Sequence, residues 1–140
     1  MLEPASPISF DSATGKPELA GILLVEDSEY TRRPLADLLR FRGHTVHEAT
    51  HGREALDVLE RHPNAIRLIL LDLAMPVMDG WQFRQAQLRN PLIATIPVVI
   101  FTGAPPDAVM HQVLRADAYL QKPVAFDQLM EAITRLFGVT

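Results

Sequence analysis

Residues 68–80 read LILLDLAMPVMDG, an apolar run that stops at Asp72 and passes into a loop ending in Gly80. A continuous apolar run bounded by an acidic residue is typical of a strand that a sheet buries on both faces. The same arrangement recurs in GILLVED at 21–27, and a similar apolar run ends in Thr102-Gly103 in IPVVIFTG at 96–103. Strands of this kind belong to parallel sheets that helices cover on both sides.

Segments with helical spacing of apolar residues alternate with these strand patterns along the chain. The predicted strands are residues 21–25, 44–50, 65–71, 96–101 and 118–121. The predicted helices are residues 28–42, 53–62, 81–88, 106–114 and 126–137. This alternation predicts an α/β fold in which a doubly wound, five-stranded parallel sheet carries helices on both faces through right-handed crossovers.

The first predicted helix carries two local signals. Ser28 stands where a serine side chain commonly caps the first turn of a helix. Pro34 lies inside the helix and removes the hydrogen bond to residue 30, so we expect either a kink or a late start.

The length and composition of the chain indicate how many domains it forms and which residues belong to them. The 140 residues suit one domain, which we place at residues 20–140. Residues 1–19 mix Pro, Ser, Gly and Thr without apolar periodicity, and they predict a flexible N-terminal tail. Ile8 and Phe10 leave open the alternative that this tail docks on another surface.

The charge balance and the missing cysteines exclude several function classes. Seventeen acidic residues against 13 basic ones argue against a DNA-binding surface. The absence of cysteine excludes disulfides, thiolate zinc sites and cysteine nucleophiles. No apolar run approaches the 18 residues of a membrane span, and no signal-peptide pattern opens the chain, so we expect no membrane partner and a cytoplasmic protein.

Polar residues follow four of the predicted strands. Glu26 and Asp27 end the first strand, Asp72 the third, Thr102 the fourth and Lys122 the fifth. The carboxyl ends of parallel strands lie on one edge, where such sheets bind ligands. Clustered carboxylates repel one another and need a cation, and an all-oxygen ligand set suits Mg²⁺. Lysine is rare in this chain, which contains only Lys16 and Lys122.

Four motifs together resemble the response-regulator receiver domain of two-component signalling. They are LLVEDS at 23–28, LILLDLAMPVMDGW at 68–81, VVIFTG at 98–103 and YLQKP at 119–123. The resemblance covers about residues 20–138 and is specific because all four occur in order. It implies the flavodoxin-like (βα)5 receiver fold.

The resemblance also implies a role for each acidic residue of the set. Asp72 matches the phosphoacceptor, and Asp27 matches the direct metal ligand. Glu26 matches the neighbouring acid that acts through a metal-bound water. Ala74 matches the position whose backbone carbonyl completes the Mg²⁺ shell.

Three further positions match residues that respond to the phosphoryl group. Thr102 matches the hydroxyl that bonds the phosphoryl oxygen, and Lys122 matches its ammonium partner. Tyr119 matches the aromatic switch residue, and it is expected to move inward from an outward rotamer when Thr102 is drawn toward the phosphoryl group. The expected protein is not an enzyme but a phosphoacceptor with intrinsic self-phosphorylation and autodephosphorylation chemistry.

Three departures from the family pattern concern the fourth and fifth helices. Only 20 residues separate Thr102 from Lys122, about two fewer than expected. Arg115 occupies a position where glycine commonly ends the fourth helix, and Ala125 leaves the last helix without a capping side chain. A homodimer is possible, but these changes argue against carrying over the family's standard dimer.

Three functional hypotheses remain open from the sequence. The first is a stand-alone response regulator, phosphorylated by a histidine kinase or a histidine phosphotransfer protein and acting on a downstream protein target. The second is a receiver excised from a hybrid histidine kinase or larger regulator, and the third is a constitutive binding module. A zinc site at His47 and His51 is disfavoured because the two residues straddle a strand end and a helix start.

Overall fold

The computed structural model describes residues 21–137, in which five strands alternate with five helices. The predicted tail at residues 1–19 lies outside the described residues. The strands are β1 (Gly21–Val25), β2 (Thr45–Ala49), β3 (Ile66–Asp72), β4 (Val98–Thr102) and β5 (Ala118–Gln121). The helices are α1 (Glu29–Phe41), α2 (Gly52–Arg61), α3 (Gly80–Arg89), α4 (Ala108–Leu114) and α5 (Phe126–Leu136).

All strands of the sheet are parallel and lie in the order β2-β1-β3-β4-β5. The doubly wound fold predicted from the sequence is therefore confirmed. The chain moves outward in one direction from β1 to β2 and in the other from β3 to β5. The strand order reverses between β1 and β3, and a crevice opens beyond their carboxyl ends at such a switch point.

Alternation along the strands divides the apolar side chains between two cores. Successive residues of β1 and β3 point to opposite faces of the sheet. On one face Leu23 and Ile69 pack with α2, α3 and α4. On the other face Ile22 and Leu68 pack with α1 and α5. Both central strands are thus buried on both sides, which holds their carboxyl ends in fixed positions.

None of the helices within residues 21–137 is long and apolar enough to cross a bilayer.

Helix α1 begins directly after Ser28, the predicted N-cap residue, and not later. It begins at Glu29 and runs unbroken through Pro34 to Phe41, so the predicted late start is wrong. Pro34 lies on the exposed face, where water can bond the carbonyl that proline leaves without a helical donor. Ser28 occupies the N-cap position, but its side chain makes no cap hydrogen bond.

Helix α4 begins two residues later than predicted, at Ala108. The Asp107 side chain accepts a hydrogen bond from the Met110 amide at 2.9 Å and so fixes the first turn there. At the other end Arg115 adopts the left-handed conformation (φ 50°, ψ 43°), which agrees with its glycine-like position in the sequence. Ala125 precedes α5 without a side-chain cap, as expected.

Replacing Arg115 by glycine should stabilise the protein by about 1 kcal/mol, because glycine adopts the left-handed conformation without the Cβ clash. Urea denaturation of Arg115→Gly and wild type measures the difference. The matched control is Arg33→Gly in the exposed middle of α1, which should instead destabilise the fold by about 1 kcal/mol. A loss of stability in Arg115→Gly would show that the arginine side chain contributes more than its backbone strain costs.

Candidate functional site

Three carboxylates meet at the carboxyl edge of the sheet, at the switch point between β1 and β3. Glu26 and Asp27 follow β1, and Asp72 is the last residue of β3. One oxygen from each carboxylate lies within 4.8 Å of the other two. Glu26 and Asp72 are buried, whereas Asp27 is exposed. The sheet thus brings together the three acids that the sequence placed at one edge.

The Lys122 ammonium lies between the two buried acids. Its Nζ is 3.1 Å from Glu26 Oε2 and 3.0 Å from Asp72 Oδ1. The backbone holds this lysine in place, because its amide donates to the Thr102 carbonyl at 2.8 Å, directly after β5 pairs with β4. One positive charge is therefore shared by two buried carboxylates.

The electrostatics show that this single cation does not balance the cluster. Burial and the hydrogen bond and negative charge of Asp72 raise the pKa of Glu26 to about 7, although Lys122 acts in the opposite direction. Burial alone would lower the pKa of Lys122, but its hydrogen bonds and charge attraction to Asp72 and Glu26 outweigh this and raise it. The pocket therefore favours additional positive charge.

The donor set fits a small, hard divalent cation. All three acids offer oxygen, the ligand type that Mg²⁺ prefers, and one of them remains open to solvent. Within residues 21–137 this is also the one group of His, Asp and Glu side chains close enough to share a metal. His51 instead caps α2, where its Nδ1 accepts from the Glu54 amide at 3.1 Å, while the His47 ring stacks on His62.

The loop after β3 holds Asp72 close to the start of α3. The Gly80 amide donates to the Leu73 carbonyl at 3.0 Å, and a Cβ atom at Gly80 would lie 2.5 Å from the Asp72 carbonyl oxygen. Only glycine fits this close approach. Asp79 and Gln82 form a capping box that fixes the first turn of α3. Ala74 lies exposed in this loop, and the metal-binding role of its carbonyl remains a prediction.

Thr102 is buried at the end of β4, on the same edge of the sheet. Its hydroxyl donates to the Ala104 carbonyl at 2.9 Å and accepts from the Ala104 amide at 3.2 Å. In this state the hydroxyl is therefore bonded to the loop that follows β4. Contact with a phosphoryl group would require it to leave these partners.

Tyr119 lies on β5 and contacts α4. Its hydroxyl accepts from the Ala116 amide at 3.0 Å and donates to the Met110 carbonyl at 3.4 Å. Its ring lies 4.4 Å from the His111 ring, centroid to centroid. The half-buried Tyr119 thus has hydroxyl partners in and beside α4, and its movement as a switch residue stays a prediction.

Sequence reasoning missed a buried polar pair beneath this face. Arg84 donates from Nε to the Leu114 carbonyl at 2.7 Å and from Nη2 to the Arg115 carbonyl at 2.8 Å. Its Nη1 donates to Gln87 Oε1 at 2.6 Å, and the Gln87 amide in turn donates to the Ile93 and Ile96 carbonyls. The pair anchors the end of α4 to α3. The available signal was two polar residues, three apart, beside the buried Phe83.

Comparisons with known proteins agree with this arrangement. Residues 22–134 match the family described as the response regulator receiver domain. The chain is 35% identical over 124 residues to the response regulator MprA of Mycolicibacterium vanbaalenii, covering 85% of this chain and 51% of MprA. It is 33% identical over 130 residues to the sensor kinase CckA of Brucella abortus, covering 90% of this chain and 13% of the kinase.

The solved structures give the same fold over nearly their whole length. The chemotaxis protein CheY4 of Vibrio cholerae superposes with a TM-score of 0.77 at 27% identity, covering 84% of this chain and 98% of CheY4. The chain thus spans about half of MprA and a small part of CckA, but almost all of CheY4.

Removing the Glu26 charge should stabilise the metal-free protein at neutral and higher pH. The folded state holds the Glu26 proton up to about pH 7, whereas the unfolded chain releases it near 4.5, so the free energy of unfolding falls as pH rises between these values. Glu26→Gln should lack this part of the slope and gain on the order of 1–2 kcal/mol at pH 8. Urea denaturation in EDTA at pH 5 and pH 8 measures the free energy of unfolding of wild type and Glu26→Gln and its change with pH.

The matched control is Glu60→Gln on the exposed face of α2, which should follow wild type at both pH values. A Glu26→Gln variant that is less stable than wild type at pH 8 would show that the Lys122 ion pair outweighs the burial and repulsion of the carboxylate.

Proposed function

Because the chain belongs to the response regulator receiver domain family, we propose that it accepts a phosphoryl group on Asp72 from a phosphohistidine and thereby changes its binding to a downstream protein. The donor would be a histidine kinase or a histidine phosphotransfer protein. The observation that carries the proposal is the Lys122 ammonium held at 3.0 Å from the buried Asp72 carboxylate, beside two further acids. We assign the receiver to residues 20–140 and treat residues 1–19 as a separate tail.

The chemistry requires a nucleophile in a pocket that neutralises charge. A carboxylate oxygen of Asp72 forms a bond to phosphorus while the bond from phosphorus to the donor imidazole nitrogen breaks. The electron pair of the broken bond stays on that nitrogen, and the product on the protein is an acyl phosphate. Water attacks acyl phosphates, so the modification has a limited lifetime.

The acids of the pocket are proposed to hold Mg²⁺. Asp27, Asp72 and the Ala74 carbonyl would bind it directly, and Glu26 through a water. When bound, Mg²⁺ supplies positive charge beside the transferring group. The convergence of three carboxylate oxygens within 4.8 Å of one another supports this assignment.

Lys122 and Thr102 are proposed to stabilise the phosphorylated state. Lys122 would exchange part of its contact with Asp72 for a phosphoryl oxygen, which keeps its charge paired before and after transfer. Thr102 would release Ala104 and donate its hydroxyl to the phosphoryl group. Its movement would change the loop before α4. Because Tyr119 packs on α4, we assign Tyr119 to the switch.

Two contexts for this receiver are compatible with the comparisons. We propose a stand-alone response regulator. The match to CheY4, which covers 98% of the CheY4 chain, favours that form. A receiver belonging to a hybrid histidine kinase is the alternative, favoured by the 33% identity to a segment of CckA. Reading the coding sequence on both sides of the segment that encodes residues 1–140 distinguishes the two.

Acetyl phosphate with Mg²⁺ should label the protein once, on Asp72. Asp72→Asn should keep the circular dichroism spectrum of wild type and lose the label, because its amide is a poor nucleophile. Intact mass spectrometry and hydroxylamine sensitivity of the label measure this. Asp57→Asn on α2 serves as the matched control and should label normally. An acid-stable label on serine or threonine would refute the assignment of Asp72.

Tyr119→Ala should leave labelling of Asp72 nearly unchanged but uncouple the pocket from α4. In wild type, acetyl phosphate should change amide hydrogen exchange over residues 108–121, and in Tyr119→Ala this change should be lost. Tyr119→Phe keeps the ring on His111 but removes the hydroxyl bonds, so it separates the two contributions. Exchange changes confined to α1 in wild type would mean that the signal leaves by another face.

A further inference from the structure

The Arg32 side chain joins the metal-binding edge of the sheet to β2. Arg32 lies in α1, and its side chain is 10% exposed. Its Nη1 donates to the Glu26 carbonyl at 2.9 Å, and its Nε donates to Glu48 Oε1 at 3.0 Å. One guanidinium therefore bridges the residue after β1 and the carboxyl end of β2.

The carbonyl that Arg32 binds belongs to the peptide that joins the two adjacent acids. The sheet holds the Glu26 amide, which donates to the Ala49 carbonyl at 3.0 Å, and regular pairing of β1 ends there. Because the peptide is planar, the bond from Arg32 to the Glu26 carbonyl also sets the orientation of the Asp27 amide. It thereby also fixes the position of the Asp27 Cα atom, which lies in the same peptide plane.

Asp27 depends on this restraint more than its two partners do. Lys122 holds the buried Glu26 and Asp72 carboxylates directly. Asp27 is exposed and lies beyond the last paired residue of β1. The backbone position that Arg32 helps to hold is therefore the restraint on where the Asp27 carboxylate can reach.

Glu48 fixes the guanidinium that provides the restraint. While Oε1 of Glu48 accepts from Arg32, its Oε2 lies 3.2 Å from Arg40 Nη2. Arg40 Nη2 also donates to the Val46 carbonyl at 2.8 Å. Glu48 thus pairs with the positive charge of Arg32. Arg32 therefore contributes to the pocket by holding the backbone in place and not by adding an unpaired positive charge.

We propose that Arg32 is a positioning residue for the metal-binding acids and sets the Mg²⁺ affinity of the pocket through the Glu26 carbonyl. The inference rests on the proposed function, in which these acids bind Mg²⁺. Residues that orient metal ligands without touching the metal typically change affinity about 10- to 100-fold when they are removed. Arg32 would orient Asp27 in this indirect way, through the Glu26 carbonyl and without touching the metal.

Arg32→Met and Arg40→Met form a matched pair that tests this role. Each variant leaves Glu48 with one arginine, but only Arg32→Met removes the donor to the Glu26 carbonyl. Isothermal titration with MgCl₂ should show affinity about tenfold weaker in Arg32→Met and changed less than about twofold in Arg40→Met. Labelling of Asp72 by acetyl phosphate should slow in Arg32→Met at low Mg²⁺ and recover at saturating Mg²⁺.

Arg32→Lys keeps the charge but cannot bridge both partners in the same geometry, so its affinity should lie between those of wild type and Arg32→Met. It also replaces Arg32→Met if that variant does not fold. Equal affinities in wild type and Arg32→Lys, or in Arg32→Met and Arg40→Met, would overturn the inference. A wild-type protein that binds no Mg²⁺ would instead overturn the proposed function on which it rests.

Discussion

The pocket depends on one ammonium group held between two buried carboxylates. Glu26 and Asp72 lie side by side at the edge of the sheet because β1 and β3 are adjacent and buried on both faces. Without Lys122 their mutual repulsion and the loss of hydration would oppose the same packing that brings them together. The ammonium contacts both at about 3 Å and comes from the loop after the far edge strand. The strand order of the sheet therefore determines which charged groups meet in the pocket.

The cluster contains three carboxylates, and Lys122 brings one positive charge to it, so its charges are not balanced. A fully neutral pocket would be more stable, but it would have no need for a divalent cation or a transferred group to supply or redistribute charge. Burial, together with the neighbouring Asp72, raises the pKa of Glu26, so the ionised form of Glu26 lowers the free energy of unfolding. Local sites that are less stable than they could be are typical of function, since the rest of the fold maintains them.

The fold could be predicted because apolar runs that end in acids identify buried parallel strands. The same rule places Glu26, Asp27, Asp72 and Lys122 at one edge, and the structure brings them together. Arg84 was missed because its partners are carbonyls at the end of another helix, which no local pattern reveals. The rotamer of Tyr119 depends on the same tertiary contacts. The start of α4 depended on whether Asp107 or the preceding prolines governed the first turn.

The pair between Glu26 and Lys122 joins residues that are 96 positions apart in the sequence. During synthesis, β1, β2 and β3 therefore emerge well before the cation that their acids require. Contacts so distant in sequence form late, because the entropy of closing the intervening loop must be overcome first. The two acids can approach in the absence of Lys122 only in their protonated form or beside a cation from solution. Docking of β5 thus adds the edge strand to the sheet and at the same time brings the ammonium to both carboxylates.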